Sequence, residues 1–161
     1  MSEIETVQNL HPDPRCLRVR DVWRATSTIV GEKRQYTLAE GAPTGSVFAW
    51  DGLPRETMRG NVLYARVSAD SQSVLDNLRI ENCSLLARGD GWVAGGTGGA
   101  SNANYTLSVT NGPFTLQEVG CYSPEDWKSL YALYQKGDIT YPWVAGPRNA
   151  TAAGEKGPWE L

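Results

Sequence analysis

Apolar and polar residues alternate in short runs along most of this chain. The clearest run is 61–68, where Leu63, Ala65 and Val67 fall on one face and Tyr64, Arg66 and Ser68 on the other, the two-residue period of a strand. Shorter runs at 34–39 and 46–50 read the same way. Turn signals separate them: Gly31-Glu32, Gly41-Ala42-Pro43 and Asp51-Gly52-Leu53-Pro54. Residues 15–30 are ambiguous. Cys16, Val19, Trp23, Thr26 and Val30 make a helical stripe, whereas Leu17, Val19, Trp23, Ala25 and Ile29 make a strand face broken by Asp21. The β-branched run Thr26-Ser27-Thr28-Ile29-Val30 assigns at least the second half to a strand.

One segment changes period. Trp127, Leu130, Tyr131 and Tyr134 recur at i, i+3, i+4 and i+7, a helical stripe. Ser123 is placed to cap it, Pro124 occupies the first position and Asp126 completes a capping box. Lys136 suits the negative end of the dipole, and Gly137 suits the stop. The spacing predicts a helix over 124–136, docked by its aromatic face on a β core.

Two segments share a pattern. Leu78-Arg79-Ile80-Glu81-Asn82-Cys83-Ser84-Leu85 and Leu107-Ser108-Val109-Thr110-Asn111-Gly112-Pro113-Phe114 both read Leu-x-(Ile/Val)-x-Asn-x-x-(Leu/Phe). They are either two ordinary strands, each ending in an Asn turn, or stacked rungs resembling those of a right-handed β-helix. Between them, Gly95-Gly96-Thr97-Gly98-Gly99-Ala100-Ser101-Asn102 reads as a flexible loop. It feeds the strand Tyr105–Val109 rather than a helix, which argues against a phosphate cradle. The fold expected is mainly β: a β-sandwich or jelly-roll-like domain with one C-terminal α-helix. The alternative is a short right-handed parallel β-helix.

The 161 residues suit one domain, and 17 Gly and 9 Pro fit frequent turns. Residues 1–14, ending in Pro12-Asp13-Pro14, read as an extended N-terminal arm. Residues 15–145 form the domain, and 146–161, rich in Gly, Ala and Pro, an extended C-terminal tail. Tyr141-Pro142-Trp143 makes the Tyr141–Pro142 bond a candidate for the cis isomer. The net charge of -3 argues against nucleic-acid binding. The basic cluster Arg15, Arg18, Arg20 and Arg24 is interrupted by Asp13 and Asp21 and reads as a solvated face. The polar start Met-Ser-Glu-Ile-Glu lacks a signal-peptide pattern, and no run of about 18 apolar residues supports membrane insertion. Cys16, Cys83 and Cys121 are expected as free thiols in a cytoplasmic setting, and the glycosylation triplets at Asn82, Asn104 and Asn149 as chance.

Candidate chemistry is sparse. The single histidine, His11, falls in the arm, so a His-assisted nucleophile is not expected. One His and three scattered Cys do not supply a metal's ligands, and no cofactor is implied. Paired carboxylates would have to come from Asp51, Glu81, Asp90 and Glu118, and turn or strand-edge roles explain them as well. Arg88-Gly89-Asp90 reads as a hairpin turn. Six Trp and seven Tyr against two Phe favour rings with a polar tip, suited to interfaces and sugar faces. Trp23, Trp127, Leu130 and Tyr131 are assigned to the core and helix docking. Trp92, Tyr105, Tyr141, Trp143 and Trp159, in or beside Gly/Pro loops, are the expected partner or glycan surface.

An acidic arm, short strands with Gly/Asn/Thr-rich loops and an extended tail carrying Trp159 together resemble the small β-rich structural proteins of tailed bacteriophages. That resemblance implies a non-enzymatic virion component (head decoration, head fibre or tail-associated), made in the host cytoplasm and residing in the virion. It further implies a homo-oligomer that contacts other virion proteins through its termini. The alternative is a carbohydrate-binding, receptor-recognising module of a phage fibre that takes a cell-surface glycan. A third reading is a short β-helical glycan-cleaving enzyme.

Overall fold

The fold is defined by a computed structural model that describes residues 6–7, 9–11, 16, 22–30, 33–50, 53–98, 105–143 and 148–149. Its first strands are β1 (Thr6–Val7), β2 (Val22–Trp23), β3 (Ala25–Val30), β4 (Lys33–Leu38) and β5 (Thr44–Val47). Next come α1 (Arg55–Met58), β6 (Val62–Ser68), α2 (Gln72–Asp76), β7 (Arg79–Ile80), β8 (Ser84–Gly89) and β9 (Trp92–Gly96). The chain continues through β10 (Leu107–Thr110), β11 (Phe114–Tyr122), α3 (Pro124–Gln135) and β12 (Arg148–Asn149). The short helices α1 and α2 carry no periodic stripe and were not expected.

Among the described residues, two antiparallel sheets face each other. One has the order β2-β5-β10-β7 and the other β3-β4-β11-β6-β9-β8. The expected sandwich and C-terminal helix are therefore present. The β-helix alternative is overturned, because the two matching segments are antiparallel neighbours, with Leu107 opposite Ile80 and Ser108 opposite Arg79. Their shared pattern has a simpler basis. Leu78, Ile80, Leu107 and Val109 all point into the core. Asn82 and Asn111 both take left-handed backbone, φ 65° and 61°, which Asn tolerates better than most residues.

Of the ambiguous region 15–30, the described stretch 22–30 is strand broken at Arg24, and its broken pattern has a cause. Arg24, at φ 57°, kinks the chain between β2 and β3 and hands it from one sheet to the other. A helical and a strand pattern compete there because the inward side changes at the kink.

Strand β6 shows how the six-stranded sheet serves two layers. Leu63, Ala65 and Val67 face the four-stranded sheet, and Val62 and Tyr64 face the opposite side. In β11 the register shifts between Leu116 and Glu118. This bulge changes the phase, so Phe114, Leu116, Val119 and Cys121 all reach the inter-sheet core. The second face is covered by α3 and by residues 139–143, with Trp127, Leu130, Ile139 and Trp143 buried there. Ser123 caps α3 as expected, its Oγ accepting from the Asp126 N–H at 3.2 Å, and Gly137 ends it at φ 80°. The cis bond among the described residues is Gly112–Pro113, not the expected Tyr141–Pro142.

Part of the N-terminal arm is docked on the domain. Asn9 Nδ2 donates to the Val119 carbonyl at 3.1 Å, and Asn9 Oδ1 accepts from the Cys121 N–H at 3.1 Å. The Leu10 N–H donates to the Cys121 carbonyl at 2.8 Å. Residues 9–11 are thus bound along β11 rather than loose. Near the other end, β12 pairs with β1, so two pieces of the expected arm and tail meet each other. The rest of both segments lies outside the described residues.

Candidate interaction surface

Of the five residues expected to form a partner surface, three are buried. Trp92, Tyr105 and Trp143 are buried, at 2%, 6% and 1% exposure, and Trp159 lies outside the described residues. Trp92 opens β9 on the side that faces α3, so its ring is roofed by the helix. Trp143 Nε1 donates to the Val119 carbonyl at 3.0 Å, which satisfies its polar tip inside the fold. Tyr105 joins the inter-sheet core. Tyr141 is half-buried, with the Arg66 guanidinium 4.2 Å from its ring centre. Trp23, assigned to the core from sequence, is instead 51% exposed.

The candidate chemical groups are engaged in structure. Glu118, buried, pairs with Arg66, and Glu81 accepts from Arg79 at 2.7 Å. Asp90 sits in the β8–β9 turn and accepts from Gln72 at 3.0 Å, while Asp51 lies outside the described residues. His11 is not floppy. It is buried, and its Nε2 lies 2.7 Å from the Ala49 carbonyl. A carbonyl only accepts, so this contact fixes the proton on Nε2. Among the described residues, no three His, Cys, Asp or Glu side chains gather to hold a metal ion, and no helix is long and apolar enough to cross a membrane.

Two of the thiols are held protonated. Burial pushes Cys83 and Cys121 up to about 12 from the ordinary 9.0, so little thiolate forms at neutral pH. An unfolded chain ionises these thiols from about pH 9 upward, whereas the folded chain holds their protons until about pH 12. Their contribution to stability is therefore complete below pH 9 and lost as pH rises through that window. Alkaline titration of urea stability is expected to fall less steeply for Cys121→Ala than for the parent. An equal slope in both would refute the assignment.

Among the described residues, two exposed apolar features remain. The first is β8, the edge of the six-stranded sheet, where Leu85 and Leu86 are 58% and 49% exposed. The pairing of β8 with β9 shifts register between Leu85 and Ala87, so Leu86 is the extra residue of a bulge. Leu85 lines a groove of about 330 Å³ together with Ile80, Cys83, Val93 and Gly95, and Arg79, Glu81, Asn82 and Arg88 line it too. Arg88 is held there by donating to the Asp76 and Leu78 carbonyls at 3.2 and 3.0 Å. The second feature is Trp23, beside a shallow concavity of about 300 Å³ on the four-stranded sheet. Periodicity could not find either one, because an edge position and a sheet's outer face depend on strand order. Comparison with known proteins found no family model, no curated protein and no solved structure that matches the chain.

Proposed function

We propose that this chain is a non-enzymatic assembly protein, a structural component of a phage virion, whose subunits join through the open β8 edge. The observation that carries this reading is the pair of exposed leucines on an edge strand. Among the described residues, nothing pairs with the outer side of β8. Unpaired strand edges invite another strand, and proteins that remain apart usually place charge or proline there. Here the edge carries the exposed Leu85 and Leu86 beside Arg88, and Ile80, Cys83, Val93 and Ala94 give the neighbouring groove apolar lining. A second copy of the same chain is the natural occupant, since two antiparallel β8 strands are self-complementary about a two-fold axis. The resemblance in sequence style to small phage structural proteins supplies the virion setting. The engagement of the carboxylates, thiols and histidine in packing supports the non-enzymatic part.

Light scattering during size-exclusion chromatography is expected to show an oligomer for the parent chain. The double variant Leu85→Lys, Leu86→Glu should weaken association at least about tenfold, about 1.4 kcal/mol, without a loss of helix or sheet signal. A parent that stays monomeric at high concentration would remove the edge interface. Absence of the chain from the proteins of purified virions would remove the virion setting.

A further inference from the structure

Cross-strand register defines a trough on the outer face of the four-stranded sheet. Trp23 on β2 lies opposite Ser46 on β5, Ser46 opposite Ser108 on β10, and Ser108 opposite Arg79 on β7. Paired residues share a face, so a large ring stands at one end and a guanidinium at the other; of the two small residues between, Ser46 is half-buried and Ser108 is buried. The row spans three strand spacings, about 14 Å. Beside it, Trp23, Ser46, Phe48, Glu81, Asn82 and Thr106 line the concavity of about 300 Å³, near the lower end of small-ligand sites, about 300–1,000 Å³. Trp23 and Ser46 are strand residues, while Phe48, Glu81, Asn82 and Thr106 flank strand ends; Glu81 is tied in by its backbone N–H, which donates to the Thr106 carbonyl at 2.8 Å.

We propose that this trough binds a neutral oligosaccharide, with Trp23 as the stacking platform. Trp23 is the exposed tryptophan among the described residues. The Arg24 guanidinium lies 4.2 Å from its ring centre, yet Arg24 is not part of the concavity's lining. One side of the indole is therefore braced, while the residue still borders the trough. An indole face suits the C–H face of a pyranose ring. Around it stand the Glu81 carboxylate, the Asn82 amide and the Ser46 hydroxyl, donor and acceptor groups of the kind that vicinal sugar hydroxyls require. The charges select among ligands. Glu81 borders the site, and the adjacent cation Arg79 is already its ion-pair partner, so a sulfated or sialylated sugar meets an unfavourable carboxylate. The trough shares Glu81 and Asn82 with the groove beside β8, but its platform, Trp23, lies outside that groove, so Trp23→Ala reads the sugar site apart from the β8 edge.

The full chain is to be screened on an array holding neutral, sialylated and sulfated oligosaccharides, and hits titrated by calorimetry. Binding to a neutral subset is expected. Trp23→Ala should weaken it at least tenfold with an unchanged melting temperature, since the side chain is half in solvent. Asn82→Gly, which keeps the left-handed backbone while removing the amide, should also weaken it. Absence of neutral-glycan binding, a preference for anionic glycans, or binding unaffected by Trp23→Ala each overturns the proposal. If Trp23→Ala instead dissolves an oligomer and no sugar binds, the face belongs to a second copy of the chain, and the proposal fails.

Discussion

Glu118→Ala is expected to destabilise the fold by about 3–5 kcal/mol, the range for breaking a buried ion pair from one side. Glu118 on β11 stands opposite Arg66 on β6, and their side chains are only 8% and 19% exposed. Aromatic groups surround the pair. The Tyr141 ring lies against the guanidinium, and among the described residues the buried Tyr64 hydroxyl has no hydrogen-bond partner. Burial alone would lower the Arg66 pKa, but the hydrogen bond and charge of Glu118 outweigh it and leave the guanidinium raised. Burial, and then the Glu118 charge, hold the Tyr64 hydroxyl well above its ordinary value and therefore neutral. Truncating Glu118 leaves a cation among rings with no counter-charge, which costs far more than losing a surface pair, about 0–1 kcal/mol. Arg66→Met combined with Glu118→Leu should recover most of the loss, because apolar residues of similar volume replace such pairs at little cost. Urea denaturation of the single and double variants checks both statements. A cost below 1 kcal/mol for Glu118→Ala would place the pair in effectively solvated surroundings and refute this account.

The elements legible in the sequence are those whose signals are local. The cap of α3, its stripe and its terminal glycine lie within fifteen consecutive positions, from Ser123 to Gly137, and the helix forms where the spacing places it. The face of β6 was equally readable from Leu63, Ala65 and Val67. The Asn turns at Asn82 and Asn111 were readable too, but not the direction in which their strands pair, since a strand carries the same alternation in parallel or antiparallel company. Sidedness failed most clearly for the tryptophans. Trp92 follows the Asp90-Gly91 turn and looks like a loop residue, yet it opens a central strand whose outer face a helix covers. Trp23 fits an apolar stripe, yet the kink at Arg24 turns it outward. His11 depends on the Ala49 carbonyl and Asn9 on Val119 and Cys121, 38, 110 and 112 positions away, so neither anchor left a trace in the local pattern. The bulge at Gln117 hid in the same way, because a two-residue period read through it puts Glu118 on the wrong side.

That inversion of the tryptophans yields the other large effect. Trp92→Ala is expected to cost about 3–5 kcal/mol, the range for a large core ring, whereas Trp23→Ala should cost under about 0.5 kcal/mol, as surface changes usually do. Trp92 meets Tyr64 at 5.9 Å, Trp127 at 6.3 Å and Tyr134 at 5.3 Å between ring centres, so it is the point where α3 grips the six-stranded sheet. Its truncation leaves a ring-sized void between helix and sheet, and near-ultraviolet circular dichroism should lose intensity as the remaining rings loosen. The opposite error in volume tests the same contact. Gly89 lies directly across from Trp92, and a Cβ added there would stand 2.6 Å from Trp92 Cε2. Gly89→Ala therefore forces the indole off its seat, with an expected cost of about 1–3 kcal/mol, typical of overpacking. In a Trp92→Ala background the obstacle is gone, and the added methyl should cost much less. Because the two residues touch, this non-additivity is itself diagnostic. Strictly additive effects from the two changes would show that the indole does not rest on Gly89.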